Sequence, residues 1–207
     1  MERELILEIY RSSKAYQEGH FKLSSGRHSP VYFQSALVLQ DPSRASSLAE
    51  RLAEILVGVS VDVVLGPAMG GIIVGHELAR ALGCRSVFAE RSDAGFTLRR
   101  GFSLGRDERV LVAEDVLTTG LSVTEVAPVI ERAGAVLVGV ACMIDRRPED
   151  RRLPWPVHSL LAQDVPTFDP VSCPLCAKGL SLTRPGSRPD NPTTHPCNET
   201  SSEKTIL

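Results

Sequence analysis

The segment "VLVAEDVLTTGLS", residues 110–122, gathers groups for which a protein interior has no use. Glu114 and Asp115 stand side by side after the apolar run Val110-Leu111-Val112-Ala113, and desolvating an unpaired carboxylate is costly. Thr118, Thr119, Gly120, Leu121 and Ser122 follow at once. Hydroxyls, consecutive backbone N–H groups, a glycine that relieves crowding and the positive end of a following helix together suit a phosphate dianion. The acids cannot hold that phosphate, so they call for a neutral polyol or a cation beside it. A ribose 5-phosphate meets both demands, with its phosphate on residues 118–122 and its 2- and 3-hydroxyls donating to Glu114 and Asp115. The competing reading is a tight strand-to-helix turn with capping hydroxyls and a solvated acid pair.

Two further stretches carry suitable groups. "LGPAMGGI", residues 65–72, sets Gly66, Gly70 and Gly71 around Ala68 and Met69, and such glycines let backbone amides come close to an anion. "ERSDAGFTLRRGF", residues 90–102, places Arg91, Arg99 and Arg100 around a Gly-containing tip. Three guanidiniums can neutralise an anionic leaving group; the plainer reading is a solvated hairpin with ordinary surface arginines.

These loops need rigid elements behind them. Leu5, Ile6, Ile9 and Tyr10 recur at helical spacing, which predicts an amphipathic first helix ending before Gly19. Residues 19–40, rich in Ser, Gly and Pro and then apolar, predict a loop and short strands in a small N-terminal lid. Asp41-Pro42-Ser43 can start a helix whose buried face is Leu48, Leu52, Ile55 and Leu56. Strands at 61–65, 85–89, 110–113 and 135–144 then alternate with helices at 72–82 and 122–133. Alternation of this kind predicts a parallel sheet with helices on its faces, and in such sheets ligands sit beyond the carboxyl ends of the strands. Pro128 falls inside the last helix and predicts a kink or a later start there.

The composition is ordinary for a globular protein: 207 residues, 43% hydrophobic and 23% charged, with a formal net charge of -2. No basic field exists for tracking nucleic acid, so phosphate recognition must be local. The N-terminus lacks the apolar centre of a signal peptide and the longest apolar stretch is about half a membrane span, which predicts a cytoplasmic protein without membrane partners. The five cysteines, at 84, 142, 173, 176 and 197, read as free thiols. Cys173-Pro-Leu-Cys176 has the spacing of half a zinc site that His195 and Cys197 could complete in principle, but it lacks a second tight pair. No metal ligated directly by side chains is therefore expected. The tail from Pro185, dominated by Pro, Ser, Thr and Asn, reads as disordered and carries the sequon Asn198-Glu199-Thr200. The expected division is residues 1–40 as N-terminal helix and hood, 41–184 as core and C-terminal segment, and 185–207 as tail.

"VLVAEDVLTTGLS" resembles the phosphoribosyl-diphosphate motif of type I phosphoribosyltransferases, a hydrophobic strand, two acids and a Thr/Gly/Ser loop. It is neither a Walker loop, which needs Gly-Lys-Ser/Thr, nor a dinucleotide fingerprint with three spaced glycines. On that resemblance Glu114, Asp115, Val116, Leu117, Thr118, Thr119, Gly120, Leu121 and Ser122 hold phosphoribosyl diphosphate. Ala68, Met69, Gly70 and Gly71 cradle its pyrophosphate, and Arg91 joins them from the arm. Asp115, Glu114, Arg99 and Arg100 would carry catalysis, the arm being similar to the mobile catalytic loop of the family.

"FKLSSGRHSPVYF", residues 21–33, resembles the N-terminal signature of the orotate phosphoribosyltransferases. The resemblance implies that Tyr32 and Phe33 pack near the pyrimidine ring, that Arg146 in "CMIDRRPE" meets the orotate carboxylate, and that Thr118 contacts orotate. It covers residues 5 to 182, including "VPTFDPVSCPLCAKGL", which is similar to the C-terminal segment of one bacterial and archaeal subgroup. Many relatives carry Lys where this chain has Ser24, Gly70 and Ser92, and the cations of this arm are arginines.

The implied architecture is an α/β open, mostly parallel sheet flanked by helices, with a small N-terminal hood. The implied reaction joins orotate and phosphoribosyl diphosphate into orotidine 5'-phosphate and pyrophosphate, in UMP biosynthesis, with Mg²⁺ held by the diphosphate, in a homodimer. The rivals are a purine phosphoribosyltransferase, disfavoured by residues 25–33 and Arg146, and a non-catalytic nucleotide-sensing RNA-binding regulator of the same fold, disfavoured by the missing basic stripe.

Overall fold

The computed structural model describes residues 2–93, 95–148 and 150–185. The expected tail, with His195, Cys197 and the sequon, lies outside the described residues apart from Pro185 itself. Two compact units emerge: a larger one from the N-terminus to Gln17 plus Phe33–Val165, and a smaller one of Glu18–Tyr32 plus the segment from Pro166. The first helix thus belongs with the sheet, and the C-terminal segment groups with residues 18–32, a division that differs from a simple N-terminal hood.

The larger unit is built on a six-stranded sheet in the order β5-β4-β3-β6-β7-β8. Its strands are β3 (Val63–Pro67), β4 (Arg85–Ser92), β5 (Gly95–Leu98), β6 (Arg109–Leu117), β7 (Val136–Asp145) and β8 (Val157–Ala162). All neighbours pair in parallel except β4 and β5, which form an antiparallel hairpin at one edge. Each central strand reads as a continuous apolar run because both faces of the sheet are covered. Val63, Leu65, Val110, Val112 and Val140 join one core cluster with Val123, Val126 and Ile130 of α5 (Leu121–Arg132). Residues of opposite parity, Val64, Leu111, Ala113, Ala141 and Met143, are equally buried on the other side. There α4 (Gly71–Leu82) packs on β3, β4 and β6, and α3 (Pro42–Ile55) on β7 and β8.

The direction of travel explains this layering. From β3 the chain crosses by α4 to β4, and from β6 it crosses by α5 to β7 on the opposite side. Both parallel crossovers are expected to be right-handed, so opposite travel puts the two helices on opposite faces. The strand order reverses between β3 and β6, and the loops that follow those two strands flank a topological switch point.

Local signals hold where the physics is local. Asp41 caps α3 as expected, accepting from the N–H groups of Ser43 at 3.0 Å and Arg44 at 3.4 Å. Gly83, at φ 70°, ends α4 in the left-handed conformation that glycine tolerates. In α1 (Glu2–Ser12) the buried residues are Ile6, Leu7 and Tyr10, while Leu5 is 43% exposed, a correction of one position to the expected face. Ile55, expected on the buried face of α3, is likewise exposed. Helix α5 starts at Leu121, so the later start inferred from Pro128 does not occur. Pro128 sits on the exposed side of the helix, where water can satisfy the carbonyl that loses its partner.

In the smaller unit most of β1 (Tyr16–Lys22) and β2 (His28–Phe33) form a separate two-stranded sheet. A short helix, α6 (Pro174–Ala177), follows the Pro170–Ser172 turn. Phe21 and Cys173 are its buried apolar side chains among the described residues, and His20, His28 and Ser29 are buried beside them.

Candidate active site

Strand β6 runs four residues further than the sequence indicates, and that extension shapes the site. On the β7 side its pairing continues through Glu114↔Cys142 and Val116↔Ile144 to Leu117↔Asp145. On the β3 side it stops at Leu65↔Val112. The acids therefore sit within the strand, held along one edge and open along the other towards the loop after β3. Glu114 is 8% exposed and Asp115 is partly buried.

The loop after β3 fills that opening at close range. A Cβ placed on Gly70 would lie 2.5 Å from Asp115 Oδ1, and one on Gly71 2.5 Å from the Ala113 carbonyl oxygen. Gly66 is tighter still, with a Cβ meeting the Gly71 carbonyl oxygen at 2.2 Å. Gly71 is required because its backbone meets that of Ala113 across the switch point, Gly70 because the Asp115 side chain fills the space beside it, and Gly66 because its own loop folds back on it. Ala68 is partly buried, Met69 is 82% exposed, and the peptide bond between them is cis.

Thr118, Thr119 and Gly120 form the bend between β6 and α5. Gly120 occupies the N-cap of α5 at φ 73° and offers no side-chain cap. Thr119 Oγ1 accepts from Leu121 N–H at 3.3 Å. The start of α4 has Gly70 at its N-cap and is likewise without a side-chain cap. Two helix N-termini thus flank the acid pair, and their first-turn amides and dipoles favour anions.

Electrostatically the acid pair is strained. Burial pushes the Glu114 carboxyl from 4.5 up to about 8; the neighbouring Asp115 charge adds to this, while a hydrogen bond from Ser122 and the charge of Arg91 oppose it. Asp115 is also raised, by burial first, against hydrogen bonds from the backbone that include Val116 N–H at 2.7 Å. Because the folded chain keeps a proton on Glu114 that the unfolded chain has released, this group leaves stability undiminished below pH 4.5 and reduces it as pH rises towards about 8. The ligand-free protein should accordingly melt at progressively lower temperature across that window, and Glu114→Gln should flatten the trend. A wild-type slope preserved in the variant would contradict this origin.

The remaining expected residues are distributed as follows. Arg91, on β4, pairs with Glu125 of α5 and lies 4.5 Å from the Phe96 ring centre. Arg99 and Arg100 follow β5 at the other end of the hairpin from its tip; Arg100 pairs with Glu90 at 2.7 Å and lies over Phe88. The hairpin thus separates Arg91 from the two later arginines along its length. Arg146 directly follows β7, is 7% exposed, and its guanidinium carbon lies 5.6 Å from the centre of the Phe33 ring. Phe33 is buried, packed edge-on against Tyr10 and Tyr16. Tyr32 belongs to the smaller unit, where it packs with Phe21.

Two features escaped the sequence reading. Tyr10 is fully buried, its hydroxyl 3.0 Å from Ser35 Oγ, and burial raises its pKa, with the charge of Asp115 contributing. Asp145 holds Arg147 in a two-point ion pair, at 2.7 and 3.0 Å, both 13% exposed by side chain. That pair braces the turn that presents Arg146. Neither has a sequence motif; the spacing of Tyr10 predicts only a helix face.

Residues 39–161 match the model of the phosphoribosyl transferase domain. The orotate phosphoribosyltransferase of Chlorobium phaeobacteroides (strain DSM 266 / SMG 266 / 2430) is 46% identical over 188 residues, 91% of this chain and 97% of that one. That of Desulforamulus reducens is 47% identical over 188 residues, 91% of this chain and 98% of its own. The crystal structure of orotate phosphoribosyltransferase from Aeropyrum pernix superposes with a TM-score of 0.66 at 26% identity, covering 76% of this chain and 93% of that chain. The chain belongs to the phosphoribosyltransferase family and, within it, to the orotate phosphoribosyltransferases.

Proposed function

We propose that the chain transfers the 5-phosphoribosyl group from phosphoribosyl diphosphate to orotate, giving orotidine 5'-phosphate and pyrophosphate for pyrimidine biosynthesis. The observation that carries the reading is the juxtaposition, at one switch point, of an acid pair largely withdrawn from water with two helix N-termini whose N-cap residues are glycines. In this reading the amides of residues 118–122 take the 5'-phosphate, the loop from Ala68 to Gly71 faces the pyrophosphate, and Glu114 and Asp115 accept from the ribose hydroxyls. Arg146 and Phe33, both of the larger unit, form the base pocket.

Chemically, orotate N1 attacks C1 of the ribose as the bond from C1 to the pyrophosphate oxygen breaks, and the N1 proton is released to water or to the departing pyrophosphate. Positive charge grows on the ring carbon and negative charge on the departing group, so the protein acts by placement and electrostatics without a nucleophile of its own. Arg91, Arg99 and Arg100 are the cations available to the leaving group. Burial raises both carboxyls of the acid pair, and a nearby Mg²⁺ would offset that cost by favouring their ionised form. Bound to the diphosphate, Mg²⁺ would neutralise leaving-group charge.

The proposal extends to a cytoplasmic homodimer. Met69 and Ile73 are exposed apolar side chains beside the candidate site, and Ile72, Ile73, His76, Phe88 and Phe102 line a cleft of about 270 Å³. An unpaired apolar surface of this kind suits a second copy. Among the described residues no helix is long and apolar enough to cross a membrane.

Orotate absorbance separates the candidates. Its loss on adding phosphoribosyl diphosphate and Mg²⁺, with one pyrophosphate formed per orotate, is the expected result. Consumption of hypoxanthine or adenine in its place would favour the purine enzyme, and RNA retention without turnover of any base would favour the regulator.

A further inference from the structure

Four side chains of the smaller unit converge on one point: His20 of β1, His28 of β2, and Cys173 and Cys176 of the C-terminal segment. Their ligand-type atoms all lie within 4.8 Å of one another. Cys176 Sγ is 3.4 Å from His28 Nδ1 and 3.7 Å from His20 Nε2, and Cys173 Sγ is 3.6 Å from His20 Nε2. A tetrahedral zinc with two thiolate and two imidazole ligands sets its ligand atoms about 3.3–3.8 Å apart. The sulfur–nitrogen separations match that figure, and the two imidazole nitrogens are somewhat closer, at 2.9 Å.

We propose that this cluster is a structural zinc site with His20, His28, Cys173 and Cys176 as its four ligands. Among the described residues it is the one group of three or more His, Cys, Asp or Glu side chains fit to hold a metal ion. His20, His28 and Cys173 are buried, with 3–4% exposure. Two imidazoles and one thiol at that depth, with the half-buried thiol of Cys176 beside them, make a donor set that a single metal ion can engage at once.

The surroundings orient the ligands for that role. His20 Nδ1 lies 2.9 Å from the Leu180 carbonyl oxygen, which fixes the ring and leaves Nε2 for the metal. The backbone of His28 exchanges hydrogen bonds with Phe168 at 2.8 and 2.9 Å, and His20 accepts from Thr183 N–H at 2.8 Å. Each histidine is thus stitched by its own backbone to the segment that carries the cysteines.

Composition supplies the need. The apolar core of the smaller unit, among the described residues, is Phe21 and Cys173, too little to hold a unit of this size by burial alone; such small units usually depend on metals or disulfides. His20 and Cys173 are 153 positions apart, so a metal there ties the two ends of the described chain together. Four protein ligands leave no open position, so the site is structural and separate from the transferase chemistry. The zinc pair for Cys173 and Cys176 is thereby His20 and His28, in place of the His195 and Cys197 that proximity in sequence suggests.

The test is metal analysis of the full chain produced with zinc in the medium and purified without chelators. About one zinc per chain is expected, and the Cys173→Ser/Cys176→Ser double variant should hold less than about a tenth of that. The His195→Ala/Cys197→Ser variant should keep the full amount. Should the first double variant fail to fold, cobalt(II) substitution of the wild-type chain decides: intense tetrahedral d–d bands with thiolate-to-cobalt charge transfer are expected. Metal-free protein that gives no such spectrum on cobalt addition would overturn the proposal, as would a Cys173–Cys176 disulfide in freshly purified protein or metal lost with His195 and Cys197. None of these readouts depends on turnover of orotate.

Discussion

Asp115→Asn is expected to lower kcat/KM for phosphoribosyl diphosphate by about ten- to a hundredfold, the equivalent of the 1.5–3 kcal/mol carried by a hydrogen bond to a charged group. One carboxylate oxygen, Oδ1, is committed to Val116 N–H at 2.7 Å, which fixes the side chain. In the proposed function the other accepts from a ribose hydroxyl. Asparagine keeps the size and one acceptor but removes the charge and turns an acceptor into a donor. Burial already raises the Asp115 pKa, so removing its charge should leave the melting temperature unchanged or higher. Lost activity in a protein that melts no lower than wild type therefore reports on substrate and not on folding. Kinetics within twofold of wild type would remove Asp115 from the ribose site.

Arg146→Ala should raise the KM for orotate by about tenfold or more while leaving that for phosphoribosyl diphosphate nearly unchanged. Arg146 is buried, directly follows β7, and stacks its guanidinium near Phe33. In the proposed function this arrangement would offer a planar fork to the orotate carboxylate beside an aromatic ring. Lysine cannot reproduce the stacking or the two-point contact, so Arg146→Lys should recover only part of the loss. Uracil, which lacks the carboxylate, should gain nothing from the native arginine, and steady-state kinetics with both bases measure that difference. An equal change in both KM values would point to a general disturbance of the loop braced by Asp145 and Arg147.

Much of this arrangement is legible in the sequence because its causes are local. Asp41-Pro42-Ser43 starts a helix, Gly83 ends one, and the alternation of apolar runs with amphipathic stretches implies a parallel sheet. The chemistry of "EDVLTTGLS" is legible for the same reason, since adjacent acids and a hydroxyl-rich turn make demands that few ligands meet. Pairing between strands is not local. The continuation of β6 past Ala113 depends on β7 lying alongside it, and nothing in "EDVL" announces a strand. Strand β8, short and preceded by Pro154 and Pro156, gives a weak periodic signal and is recognised only through its pairing with β7. The partners of Cys173 and Cys176 were hidden for a related reason: the nearest His and Cys in sequence are His195 and Cys197, whereas the fold delivers His20 and His28 from the opposite end of the described chain. Pro128 shows the converse, a breaker tolerated because its side of α5 faces water.

Contact between the loop after β6 and a sugar phosphate is the centre of the proposed function. A crystal structure of the protein with orotidine 5'-phosphate measures it most directly. The 5'-phosphate should lie on the backbone amides of residues 118–122, with the ribose 2- and 3-hydroxyls on Glu114 and Asp115 and the orotate carboxylate on Arg146. A nucleotide bound with its phosphate elsewhere, and the acid pair facing no part of the ribose, would contradict it.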